Sequence, residues 1–201
     1  MLNSLNIKLF NFQGAEVYFN LLFLLLFLLM PWHYVVILFI SVLIHEMSHV
    51  WMAVKKFYPV YSINIDIMGG LATTKNINIK DQPIISLIGP FSNLVLFMTT
   101  YVLNLLYPHY FLEAFFGINI ILFIFNILPI YPMDGGMALR SWMLYNCRKI
   151  GITQPKANLY SVIISIICSV LLVIFSLVYG YLILALLCCY FIYISNKMIP
   201  R

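Results

Sequence analysis

The chain has 201 residues, of which 64% are hydrophobic and only 8% charged, against roughly 25% charged in soluble domains. Its mean hydropathy is +1.01, which excludes a sizeable soluble module and leaves one polytopic helical domain over residues 1–201. The net charge of +5 reads as topology-setting Lys and Arg in cytoplasmic loops, with no nucleic-acid partner.

A membrane-crossing helix needs roughly 17–25 predominantly apolar residues. Residues 17–30, extended to about 32, make a short first span that Pro31 breaks. Within residues 1–13 the only charged side chain is Lys8, and no small-residue cleavage site follows, so a retained span is expected rather than a removed leader. Residues 34–54 form the second span, closed by Lys55 and Lys56. Residues 57–82 differ in kind. Residues 61–67 alternate polar and apolar, Gly69-Gly70 allows a tight turn or bulge, and β-branched residues follow, which predicts a β-hairpin or re-entrant segment. The third span is 84–107, interrupted by Gly89-Pro90, and the fourth is 111–130, ended by Pro129 and Pro132. A basic loop is expected over 140–156, then spans at 159–178 and 181–195. The fold class is therefore all-α and polytopic, with about six membrane helices and one small β element. Cys147, Cys168, Cys188 and Cys189 include no C-x-x-C and read as packing residues.

Six spans with a cytoplasmic N-terminus place all 11 Lys and Arg residues on the inside and none in the outer loops. The C-terminus is then cytoplasmic too.

The second span carries His45-Glu46-Met47-Ser48-His49. Residues four apart lie on one helix face, so the two imidazoles can share a zinc ion. Glu46 is about 100° further round, within reach of a water on that metal. An ionisable residue in the middle of a span is costly and functional by default. A catalytic zinc usually has three protein ligands. Glu16, Asp66, Asp81 and Glu113 fall at loops or span ends, and His33 and His109 fall on the outer side. Asp134 falls at the cytoplasmic end of the fourth span, where Pro129, Pro132, Gly135 and Gly136 allow an irregular turn to aim it.

Taken together, these residues resemble the site-2 protease family of intramembrane zinc metalloproteases. Its H-E-x-x-H matches His45–His49, and its N-x-x-P-x-x-P-x-D-G matches Asn126, Pro129, Pro132, Asp134 and Gly135. The Gly-Pro element and the Gly-Gly after the second span look most like the bacterial branch that processes sporulation sigma factors, without its CBS module. The resemblance covers roughly residues 17–140. It implies one zinc held by His45, His49 and Asp134, with Glu46 as general base and proton shuttle, and Asn126 near the site. Asn93 is a second candidate there. An Asn amide can steady a scissile carbonyl or developing oxyanion, or Asn93 can serve a helix–helix hydrogen bond. For Asn119 the structural role is favoured.

The expected activity is hydrolysis of a peptide bond in or near the membrane segment of a bilayer-embedded protein, such as a single-span transcription or sigma-factor precursor. An inhibitory membrane subunit is a candidate partner, and the expected location is the bacterial cell membrane with the site in its cytoplasmic half. A membrane helix must unwind before cleavage, and the strand-like segment around Ile67, Gly69, Gly70 and Leu71 offers an edge for the unwound chain. The alternatives are an ion transporter and a non-cleaving zinc scaffold. The outer half is poor in polar residues for transport, and no fourth ligand is evident for a closed structural site.

Overall fold

A computed structural model describes residues 6–66, 69–74 and 77–198. In chain order it has β1 (Asn6–Phe12), β2 (Ala15–Asn20), a 3-10 segment (Leu21–Leu28), α1 (Trp32–Lys55), β3 (Val60–Asp66), β4 (Gly69–Thr74), α2 (Gln82–Leu106), α3 (Tyr110–Ile127), α4 (Asp134–Ile150), α5 (Gln154–Val178) and α6 (Leu182–Lys197). Contacts divide it into two compact units. One holds residues up to Ile77 with Ile88–Ile124; the other holds Asn78–Leu87 and Phe125 onward. Four helices, α1, α2, α3 and α5, are long and apolar enough to cross a membrane, and α6 is a shorter apolar helix. The chain is an integral membrane protein.

In the first unit, the expected first span is not an α-helix. Residues 15–20 are strand β2, and only eight residues of 3-10 helix follow before the turn at Pro31. The cause is length: the apolar run after Asn20 is too short for an α-helical crossing. A 3-10 helix rises about 2.0 Å per residue, so eight residues extend about 16 Å where an α-helix would extend about 12 Å. Phe19 and Phe23 pack their rings against Phe39 of α1, at 5.4 and 5.8 Å between centroids. The four strands lie in sequence order, with β1–β2 and β3–β4 antiparallel and β2–β3 parallel. Gln13 and Gly14 link β1 to β2 with φ of 51° and 87°, the paired positive angles of a two-residue hairpin turn. Across that hairpin Lys8 pairs with Glu16. The shared hydrogen bond raises the pKa of Lys8 and lowers that of Glu16. Any stabilisation from the pair is therefore present above the ordinary carboxylate range and lost as pH falls through the lowered pKa of Glu16. Both side chains are exposed, so the effect is small.

The expected hairpin after α1 is present as β3–β4. Gly69 and Gly70 are not its turn; they are the first residues of β4, opposite Asp66 and Ile65. Ile67 lies outside the described residues. Helix α1 is about 36 Å long at 24 residues and begins after Pro31, whose fixed φ suits a helix start. Trp32 and Trp51 near its ends are exposed, and Lys55 lies over the Trp51 ring at 4.8 Å, as anchors do at a membrane interface. On α2 the exposed residues Phe91, Val95, Met98, Val102 and Leu105 recur every three to four positions, an apolar stripe suited to lipid.

In the second unit, α4 occupies most of the stretch expected to be a basic loop. Its buried residues include Ala138, Ser141 and Cys147, and its last turn carries Arg148 and Lys149, where cations suit the helix dipole. Gly151, with φ of 76°, stops it. Arg140 donates to Asn158 Oδ1 (2.7 Å), and Asn158 donates to the Met198 carbonyl (2.9 Å). Helix α5 buries Ala157, Ser161, Ser165, Ser169 and Ser176. Small residues let membrane helices approach closely, and Ser169 satisfies its own hydroxyl on the Ser165 carbonyl at 2.8 Å. Ser169 has no exposed surface, so Ser169→Leu should overpack the unit by about 1–3 kcal/mol. Thermal unfolding in detergent should show a lower Tm; an unchanged Tm would mean that the helix has room there.

Candidate functional site

The site is built on α1. Ile37, Ser41, His45, His49 and Ala53 fall every fourth residue and are all buried, with Val42, Glu46 and Val50 on the adjoining stripe. His45 is 5% exposed and Glu46 6%, on a helix with no other charged residue before Lys55. The two imidazoles face one another through Nε2 atoms 3.1 Å apart. Two nitrogens each about 2.0–2.1 Å from a tetrahedral zinc stand about 3.3–3.4 Å apart, so the pair is set close to the spacing of two ligands.

Gly89 of α2 abuts this pair. A Cβ built on it would overlap Nε2 and Cε1 of His49 and lie 2.7 Å from Nε2 of His45. The space in front of both imidazole Nε2 atoms is thus a cradle that any side chain at 89 would fill. Neutral imidazole nitrogens facing such a cradle fit a divalent metal. The sequence presents Gly89-Pro90 as an interruption of the span and as part of the family resemblance; α2 instead continues through Pro90, and the glycine's role against His45 and His49 appears only when α2 is packed against α1.

Asn93, one turn after Gly89, places Oδ1 on Nδ1 of His45. Its Nδ2 donates to Oδ1 of Asn119 on α3 at 2.9 Å, and Asn119 Nδ2 donates to Ser41 Oγ and to the Phe115 carbonyl, each at 2.9 Å. Asn93, Asn119 and Ser41 have no exposed surface. The helix–helix hydrogen bond foreseen for Asn93 is therefore present, and it ends on a histidine of the motif.

In the second unit, Asp134 is half-buried and is the first residue of α4, after an irregular turn over residues 128–133. Asn126 is half-buried near the end of α3. Only glycine fits after Asp134. A Cβ at Gly135 would overlap the Ile127 carbonyl, and one at Gly136 would lie 2.5 Å from the Ile130 carbonyl oxygen. The turn is held from outside as well: the Tyr131 N–H donates to Ser165 Oγ at 2.8 Å, and Ser165 shares a hydrogen bond with Ser195 at 2.9 Å. Leu71 pairs with Asn64 in the β3–β4 ladder.

Gly89→Ala should lower affinity for a divalent metal by about tenfold or more, the cost of overpacking by at least ~1.4 kcal/mol. Competition with a chelator on the purified chain measures it. Wild-type affinity in this variant would show that the cradle is not where metal binds.

No family model matches the chain. Over 125 residues, 58% of the chain, it is 34% identical to a Synechocystis protein named as a zinc metalloprotease, covering 33% of that protein. Over 129 residues, 62% of the chain, it is 26% identical to a zinc metalloprotease of Methanocaldococcus jannaschii, covering 38% of it. The matches thus span about a third of the length of these curated relatives. Among solved structures, the site-2 protease from Methanocaldococcus jannaschii aligns with a TM-score of 0.68 at 20% identity, covering 98% of this chain and 96% of that one. The chain therefore has the fold of a site-2 protease and is a sequence relative of zinc metalloproteases.

Proposed function

We propose that this chain is an intramembrane zinc metalloendopeptidase that hydrolyses a peptide bond in or near the membrane segment of a bilayer-embedded protein. The observation that carries this reading is the buried His45–His49 pair facing the Gly89 cradle, with Glu46 buried beside it on the same helix. His45, His49 and Asp134 would hold the zinc; two imidazoles and one carboxylate are a donor set that fits a catalytic ion with an open position. When bound, zinc supplies a Lewis acid that acidifies water and polarises a peptide carbonyl. Glu46 takes the proton of the attacking water and passes it to the leaving amine. The Asn126 amide steadies the carbonyl under attack.

The substrate presents an unwound stretch to the edge of β4. In the strand order β1-β2-β3-β4 that edge pairs with no further strand among the described residues, so an extended chain can add there through backbone hydrogen bonds. Strand β2 pairs with β3, which follows α1, so Lys8 on the β1–β2 hairpin lies toward the same end of α1 as Lys55 and Lys56; a basic cluster at that end supports a cytoplasmic N-terminus and a site in the cytoplasmic half. A membrane-tethered transcription or sigma-factor precursor fits the substrate class, in a bacterial cell membrane and under an inhibitory membrane subunit.

Reconstitution with a single-span reporter tests the chemistry. Glu46→Gln should retain zinc and lose cleavage by roughly 10²–10⁴-fold, the usual contribution of a positioned general base. Equal cleavage by the variant would remove Glu46 from the reaction. The docking edge has its own test. Leu71→Pro should leave zinc content unchanged and strongly reduce cleavage of the intact reporter, since Pro disturbs the strand; undiminished cleavage counts against strand addition.

A further inference from the structure

The hydrogen bonds behind His45 have a direction, and it can be worked out from one atom that has no choice. The backbone carbonyl of Phe115 can only accept. Asn119 Nδ2 lies 2.9 Å from it, so the Asn119 amide must turn its NH2 that way and toward Ser41 Oγ. Its oxygen is thereby committed to Asn93, 2.9 Å away. Asn93 must then present its own NH2 to Asn119, which turns Oδ1 of Asn93 onto His45 Nδ1. An amide oxygen only accepts, so His45 must carry its proton on Nδ1. In a neutral imidazole the other nitrogen then bears the lone pair. That nitrogen is Nε2, the atom facing the Gly89 cradle.

We infer that Asn93 and Asn119 are positioning residues: a relay of two buried amides, anchored on the Phe115 carbonyl, sets the tautomer of His45 so that Nε2 is ready to ligate a metal. The inference deepens the metallopeptidase reading and rests on it for its purpose, but the tautomer itself is a property of the metal-free chain. Each member sits on a different helix, α1, α2 and α3, within the first unit. Their complete burial keeps water from offering an alternative partner that would let either amide flip. Ser41 takes the second N–H of Asn119 and is not needed for the direction, which the Phe115 carbonyl alone dictates.

Nitrogen-15 NMR of histidine-labelled, metal-free full-length chain in mildly alkaline buffer reads the tautomer, and chelator competition reads zinc affinity. Wild-type His45 should appear as the single Nδ1–H form. Asn93→Leu and Asn119→Leu should give mixed tautomers and a 10–100-fold weaker zinc affinity, as loss of an outer partner of a ligand histidine does. Ser41→Ala removes only the acceptor of the second Asn119 N–H, leaves the Phe115 carbonyl to set the direction, and should keep both the tautomer and the affinity near wild type. A wild-type His45 protonated on Nε2 overturns the relay without any variant, so a failure of Asn119→Leu to fold does not shelter it. An unchanged tautomer and affinity in either leucine variant overturns it as well. If tautomer and affinity follow expectation while no substrate is cleaved in a Glu46-dependent way, the relay stands and the peptidase reading alone fails.

Discussion

Burying His45, Glu46 and His49 on one apolar helix takes three polar side chains out of water, and each needs a partner in surroundings that supply few. Much of the first unit follows from that demand. The surface of α1 that would otherwise pack against plain apolar residues instead meets a glycine and an asparagine, one turn apart on α2. The asparagine in turn would be an expensive buried amide, worth roughly 1–3 kcal/mol if left unpaired; Asn119 relieves it and is itself satisfied by Ser41 and the Phe115 carbonyl. Polarity introduced at one point of the helix is thus passed through three helices until it reaches a backbone carbonyl that can absorb it.

The second unit solves a related problem by different means. A carboxylate at the first position of α4 must be held by a turn that contains two prolines and so lacks two backbone donors. Gly135 and Gly136 bring the start of α4 against the backbone of residues 127–130 more closely than any side chain permits. The hydroxyl of Ser165, from α5, takes up the Tyr131 N–H and is itself bonded to that of Ser195, from α6, which fixes the turn from behind. Helices α5 and α6 therefore do more than add apolar surface, since Ser165 and Ser195 support the turn that precedes Asp134.

The motifs were legible because zinc chemistry demands particular residue types at fixed helical spacing, and because charge is so scarce here that every acidic residue could be weighed in turn. The strand-like segment after α1 was legible for its period of two. Less was visible where length and context compete with composition. The apolar run before Pro31 has the composition of a span but too few residues, and Val17 and Phe19 were already committed to a strand whose partner, β3, lies more than forty residues on. The Gln13-Gly14 pair is a two-residue hairpin signal of the kind Gly at a positive φ permits, yet the flanking apolar run masks it. Residues 140–150 are basic, which draws attention to topology; the buried Ser141 and Cys147 on that stretch, with Ala138 just before it, mark the buried face of α4. Gly89 and the amide relay were out of reach for another reason. Each depends on which face of one helix meets which face of another, and no local pattern encodes that.

The chemical identity of the relay has its own logic. Ligand histidines are often backed by carboxylates, which raise the basicity of the ring. On the proposed reading, zinc with Asp134 and an ionised Glu46 is already neutral overall. A carboxylate at position 93 would leave a net negative charge within the apolar interior, where the penalty for an uncompensated ion is several kcal/mol. An amide fixes the same tautomer at no cost in charge, and it must do so with a neutral donor on its other side, which is what Asn119 provides. The choice of asparagine over aspartate behind His45 is then a consequence of the medium: in lipid, direction can be specified by hydrogen bonds alone, and further charge is what the site can least accommodate.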